Sequence, residues 1–167
     1  MTNEISHASM GITLRPVEPE DESFLVAVYA STRAQELAMV PWDEAQKQAF
    51  LRMQFAAQQA SYANQFPLAQ HQLILSHGEP VGRLYVAREK EVIRILDITL
   101  LPQHRNAGIG TPLIRDLINE ATETSLPLQI YVESFNPSLR LFERLGFIKI
   151  EEESFNLLLE WRAVESN

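Results

Sequence analysis

The chain has no cysteine. Disulfides, thiolate metal sites and a covalent cysteine intermediate are therefore excluded. No apolar run approaches the roughly 20 residues that a membrane span needs. The opening stretch MTNEISHASMG has no basic segment followed by an apolar one, so no signal peptide is visible. Positive charge is also scarce: 14 Lys and Arg stand against 22 Asp and Glu, for a net charge of −8. Nucleic-acid binding in general needs Lys and Arg to displace counterions from phosphates, so it is not expected. The acidic balance suits a cationic small molecule or peptide, and equally plain solubility. The four histidines, His7, His71, His77 and His104, are scattered without metal-ligand spacing, so no metal site is expected. These absences point to a soluble, cytoplasmic protein.

What remains is a chain of 167 residues, 46% hydrophobic and 22% charged. That suffices for one domain with a sizeable core. Residues 1–10 are small and polar and are expected to form a flexible arm, 11–162 one domain, and 163–167 a tail. GITLRPV alternates as a short strand, and EPEDESFLVAVYAST crowds acidic residues at a helix start. Residues 41–66 predict a longer helix capped by Asp43. It carries one strip at Ala45, Ala49, Met53, Ala56 and Ala60 and another at Leu51, Phe55 and Tyr62. Two strips fit either contact on both sides or a helix wedged into the core. HQLILSH, PVGRLYVAR and EVIRILDITLL are strands joined by short polar turns, hence antiparallel. The last of these, 92–101, is apolar on both alternating sets apart from Arg94 and Asp97, which predicts a central strand buried on both faces. A helix with Leu113, Ile114, Leu117, Ile118 and Ala121 on one face follows, then a strand at 126–133. Next comes a helix punctuated by Asn136 at its cap, Pro137 in its first turn and Gly146 past its end. Two strands close the chain.

The stretch QHRNAGIGTPL, residues 103–113, places Arg105, Gly108 and Gly110 directly before a helix. A helix N-terminus offers free N–H groups and a partial positive charge, and glycines remove the Cβ atoms that would keep an anion away. Strand, loop, glycines and helix can therefore cradle a phosphate, or simply turn tightly. The loop is not a P-loop, because Gly-Lys-Ser/Thr is absent. It is not the dinucleotide fingerprint either, because Leu113 stands where the last glycine belongs.

Arg105-Asn106-Ala107-Gly108-Ile109-Gly110 after ITLLP, followed one strand later by VESFNPSLRLFERLGF, resembles the GNAT superfamily of N-acetyltransferases. One family signature is Arg/Gln-x-x-Gly-x-Gly/Ala after the fourth strand. The other is Val-x-x-x-Asn-x-x-Ala-x-x-x-Tyr-x-x-x-Gly-Phe, matched here by Val132, Asn136, Gly146 and Phe147. The order of elements from 11 to 161 is also similar. The resemblance implies an α/β (α+β) fold: a mixed, mostly antiparallel sheet of six to seven strands, splayed between strands 4 and 5 and flanked by helices on both faces. It implies acetyl-CoA in the splay. The backbone of Ile98, Thr99 and Leu100 would pair with the pantetheine amides. The loop Arg105, Asn106, Ala107, Gly108, Ile109, Gly110 and Thr111 would hold the pyrophosphate, with Asn136 and Arg140 on the cofactor arm.

Acetyl transfer to an amine needs a proton acceptor, a polarised thioester carbonyl and a protonated leaving thiol. The family's usual thiol-protonating Tyr is Phe142 here, and its frequent strand-four Glu aligns with Arg94. Asp97, three residues on, is expected to project from the opposite sheet face. It is a catalytic candidate or the partner of an arginine. Glu133 is a second candidate. Tyr131 sits where some family members place a base, but tyrosine is a poor one near its ordinary pKa of about 10. Trp42 and Tyr62 are candidate acceptor contacts. The expected function is N-acetyltransfer from acetyl-CoA to a primary amine of a small molecule or peptide, by direct attack in a ternary complex. The alternatives are a non-catalytic acetyl-CoA-binding or partner-binding domain, and a nucleotide-binding regulator. A homodimer through helix 43–64 or the C-terminal strand 155–161 is compatible with the pattern.

Overall fold

The computed structural model describes residues 11–164; the expected arm at 1–10 and the end of the tail lie outside them. The elements run β1 (Ile12–Pro16), α1 (Glu22–Ala38), α2 (Glu44–Gln65), β2 (Gln70–Ser76), β3 (Glu79–Arg88) and β4 (Ile93–Leu100), followed by α3 (Gly110–Thr124), β5 (Leu128–Glu133), α4 (Leu139–Arg144), β6 (Ile148–Glu153) and β7 (Asn156–Trp161). Asp43 caps α2 as expected: its carboxylate accepts from the Gln46 N–H at 2.8 Å, and the Gln46 side chain accepts from the Asp43 N–H at 3.0 Å. Among the described residues no helix is long and apolar enough to cross a membrane.

The seven strands form one sheet in the order β1-β2-β3-β4-β5-β7-β6. All neighbours are antiparallel except β4 and β5. That parallel pair has α3 as its crossover, as parallel neighbours require. One face packs on α3 and α4 through Val86, Ile95, Ile114, Leu117, Ile130, Phe142 and Leu159. The other packs on α1 and α2 through Leu25, Tyr29, Leu51, Phe55 and Leu73. Each face buries apolar area worth about 25 cal/mol per Å², so covering both with helices is what holds a sheet this wide together.

Four expectations need correction. β4 is buried on one face only: its other face, towards α2, carries Arg94, Asp97 and Thr99, all partly exposed. The short helix does not begin at Asn136. Its cap residue is Ser138, and the Asn136 side chain accepts from the Ser138 N–H at 2.9 Å in a tight turn. The helix therefore starts at Leu139 and is only six residues long. β7 lies between β5 and β6, both of its edges being paired, so no second copy can add to it; the outer edge is β6. Finally, the alanine strip of α2 is not wedged into the core: Ala45, Ala49, Met53, Ala56 and Ala60 are exposed, while Leu51 and Phe55 are buried.

The C-terminus of α4 follows its sequence. Gly146 has φ +98°, the Gly146 N–H reaches the Glu143 carbonyl, and the Phe147 N–H reaches the Phe142 carbonyl at 3.0 Å. This is a Schellman ending, and its usual apolar contact is the pair Phe142–Phe147, with ring centroids 5.2 Å apart.

Candidate active site

The site is made by two strands that part. β4 and β5 pair only at Ile93–Leu128, Arg94–Gln129 and Ile95–Ile130. Beyond Ile95 a bulge intervenes: Tyr85 faces Asp97 and Val86 faces Ile95, so Leu96 has no partner on β3. A bulge bends its strand and shifts the side-chain phase by one. Before it, Ile93 and Ile95 face the α3 core; after it, Ile98 and Leu100 do. Arg94 and Asp97 therefore share the face towards α2, and the expectation that they project to opposite faces is overturned. Alternation counts residues, and a bulge adds one that the count cannot see. The β5-facing edge of β4 from Leu96 to Leu100 carries no ladder to β5, which leaves the backbone groups of Ile98 and the Leu100 N–H open to an extended ligand; Thr99, two residues before the Leu101 N–H that donates to the Val81 carbonyl, turns its backbone groups to β3, so its expected pairing with a ligand is corrected.

Past the C-terminus of β4, a short 3-10 turn at Pro102–His104 leads into the glycine loop. The Arg105 guanidinium donates to the Leu100 carbonyl at 3.1 Å and ties the loop to the strand end. Asn106 and Gly108 both have positive φ, +60° and +79°. Gly108 thus has a backbone reason to be glycine. Gly110 does not. Its φ is ordinary, and a Cβ built on it would meet nothing within 4 Å. The first turn of α3 has no side-chain cap and no acidic residue, and Gly110 and Thr111 are its first residues. Free N–H groups beside an open space with no side chain in it suit an anion such as a pyrophosphate. The residues present fit CoA on that ground. Ile109 is buried and anchors the loop, whereas Ala107, Asn136 and Arg140 are exposed.

On the α2 face, a cleft of about 200 Å³ opens where the strands part. It is lined by Tyr62, Gln65 and Phe66 of α2, residues 94–96 of β4 and residues 129–131 of β5. The Tyr62 hydroxyl donates to the Leu96 carbonyl at 3.1 Å and so holds the bulge. Burial and then the Asp97 charge push the Tyr62 phenol above its ordinary pKa, which keeps it a donor. Trp42 does not line this cleft; its ring packs edge-on against Phe50, with centroids 5.2 Å apart. Tyr131 also borders a second hollow of about 370 Å³ lined by Glu151, Glu153, Asn156 and Leu158.

The two candidate carboxylates differ in setting. Asp97 accepts from Arg83 Nε at 2.5 Å and from the Thr99 hydroxyl at 2.7 Å. Arg83 is 1% exposed, and its other donors go to Gln58 at 2.6 Å and Gln59 at 3.2 Å. Glu133 lies at the far end of β5, 3.8 Å from Arg33 of α1. Neither lines the cleft, though Asp97 follows Leu96 directly. The reading of the sequence missed Arg83, Gln129 and the two glutamines of α2. A charge within the apolar run PVGRLYVAR was the available pointer to Arg83; the glutamines had none. His71 lies on the same polar layer, its ring stacked on Tyr85 at 4.2 Å. Burial, then the Arg83 charge, lowers it from 6.5 to about 4.

A central sheet that splays after a bulged fourth strand, flanked by helices on both faces, with a glycine-rich helix start beside the opening, is the arrangement of the GNAT fold. The model of the acetyltransferase (GNAT) family matches residues 26–147, and the chain belongs to that family. Among solved structures it is similar to the PaiA N-acetyltransferase of Thermoplasma acidophilum in complex with coenzyme A, with 15% identity over 92% of this chain and 100% of that one and a TM-score of 0.70. A GNAT family acetyltransferase from Elizabethkingia anophelis with acetyl-CoA bound is similar at TM-score 0.58, with 18% identity over 92% of this chain and 99% of that one. The ribosomal-protein-S18-alanine N-acetyltransferase of Escherichia coli is similar at TM-score 0.59, with 17% identity over 93% of this chain and 96% of that one. A search of curated protein sequences finds no match.

Proposed function

We propose that this chain transfers the acetyl group of acetyl-CoA to a primary amine of a small molecule or peptide, as a single cytoplasmic domain over residues 11–162. The observation that carries cofactor binding is Gly110: the backbone conformation and the protein neighbours leave its missing side chain unexplained, and an anion at the start of α3 explains it. The acetyl donor occupies the splay, with Ile98 and the Leu100 N–H offering backbone pairing and residues 105–111 the anion site. Asn136 and Arg140, both exposed, are the proposed contacts to the cofactor arm.

The acceptor reaches the thioester from the α2 face, where Asp97, Tyr62 and the cleft lie. An ammonium acceptor loses one proton before attack. The amine lone pair then forms the C–N bond, the C–S bond breaks with its electron pair on sulfur, and the amide nitrogen sheds its second proton. One proton re-forms the CoA thiol and one leaves to solvent. Asp97 is the nearer proton acceptor, directly or through water; Glu133 is the more distant one. The bound Arg83 keeps Asp97 oriented rather than free to turn away.

One observation favours the non-catalytic alternative. Phe142, at the position of the family's usual acid, is 1% exposed and packed in the core, so α4 offers no side chain to protonate sulfur. Calorimetry with acetyl-CoA followed by a thiol-release assay over a panel of amines separates the two. Binding with turnover supports the enzyme, binding without turnover the non-catalytic acetyl-CoA-binding domain, and failure to bind acetyl-CoA defeats both of these and leaves a partner-binding domain.

A further inference from the structure

The geometry points to an acceptor amine that also carries a carboxylate, held by Arg94 at the base of the splay; this rests on the acetyl-transfer reading above. Arg94 is the one charged residue in the lining of the cleft between β4, β5 and α2. Its presence there is notable in a chain of net charge −8. The guanidinium is fixed from two sides. Nε donates to Glu89 at 2.7 Å, and Nη1 donates to the Gln129 side-chain oxygen at 3.2 Å. Gln129 is itself oriented, because its amide nitrogen donates to Glu160 at 2.6 Å.

Two donors remain. Nη2 has no hydrogen-bond partner among the described residues, and the Arg94 side chain is 31% exposed. A guanidinium held by neighbours with one nitrogen open is preorganised for a carboxylate, since little further order is lost on binding. Glu89, at 44% exposure, offsets the charge from the Nε side and does not line the cleft. The cleft, at about 200 Å³, is smaller than the roughly 300–1,000 Å³ of sites for drug-sized ligands, which favours a small acceptor. Phe66 and the Tyr62 ring supply apolar wall for its side chain. The chemical class is a small free amino acid, with its carboxylate on Arg94 and its amine turned towards the bulge.

The test uses the full chain with CoA bound. Wild type, Arg94→Gln and Arg94→Lys are titrated calorimetrically with a panel of L-amino acids, their primary amides and ethanolamine phosphate, after thermal unfolding shows which variants fold. At least one amino acid should bind wild type about tenfold or more tighter than its amide. Arg94→Gln should abolish that preference and Arg94→Lys should restore part of it. In turnover, Arg94→Gln should raise KM for the amino acid about ten- to a hundredfold more than for its amide. Equal binding of acid and amide, an equal loss of both in Arg94→Gln, or a stronger response to the phosphate would overturn the inference. The underlying reading fails separately. Turnover of amides alone refutes the carboxylate site and leaves acetyl transfer standing. An Arg94-dependent carboxylate preference with no turnover of any amine refutes acetyl transfer and leaves the site standing.

Discussion

Substituting Gly110 by leucine should separate folding from cofactor binding in one residue. Gly110 opens α3 with an ordinary φ, and nothing lies within 4 Å of the Cβ it lacks. Leucine is a better helix former than glycine by up to about 1 kcal/mol, less in a first turn. The folded state should therefore be unharmed or stabilised by about 0.5–1 kcal/mol, a rise of about 1–4 °C in Tm for a domain of this size. The same side chain would fill the space over the free N–H groups. A hydrogen bond to a charged group contributes about 1.5–3 kcal/mol, so losing two should weaken CoA at least about a hundredfold. Gly108→Leu is the control: at φ +79° a side chain is strained by about 1–2 kcal/mol, so stability itself should fall. Differential scanning calorimetry and titration with acetyl-CoA read both quantities. If Gly110→Leu binds acetyl-CoA like wild type, the pyrophosphate does not sit at α3 and the argument from this glycine is wrong.

Three further outcomes follow from the same structure. Asp97→Asn strands a guanidinium that is 1% exposed and should cost about 3–5 kcal/mol, whereas Arg83→Met leaves only a partly hydrated carboxylate and should cost less; urea unfolding that ranks them the other way sinks the reading of this pair. Phe142→Tyr places a hydroxyl in the core beside Phe147, so it should destabilise by about 1–3 kcal/mol without raising kcat, and a gain in rate would show that α4 does reach the thiol. His71 is depressed from 6.5 to about 4, so its contribution is complete above pH 6.5 and is lost as pH falls from 6.5 towards 4. The stability of His71→Phe should accordingly decline less than that of wild type across that window, and parallel curves would disprove the assignment.

Local chemistry fixed much of this molecule before any packing. The strand and helix order, the Asp43 cap, the Gly146 ending and the glycine loop all follow from neighbours within a few residues, where propensity and capping act. The seven strands and the splay between the fourth and fifth were likewise legible, through motif order. What the residues alone left open depends on contacts far apart in sequence. The bulge at Leu96 exists because β3 and β4 differ by one residue in register, and it turns Asp97 onto the face of Arg94. The burial of Arg83 beneath Gln58 and Gln59 needs α2 laid across the sheet. The polar lining of the cleft between the parted strands draws Arg94, Gln129 and Tyr62 from three elements. Sequence determined the glycine loop proposed for acetyl-CoA, because a loop's backbone is set by residues next to one another; only the tertiary structure decided what lines the cleft beside it, because that cleft is a meeting of strands and a helix.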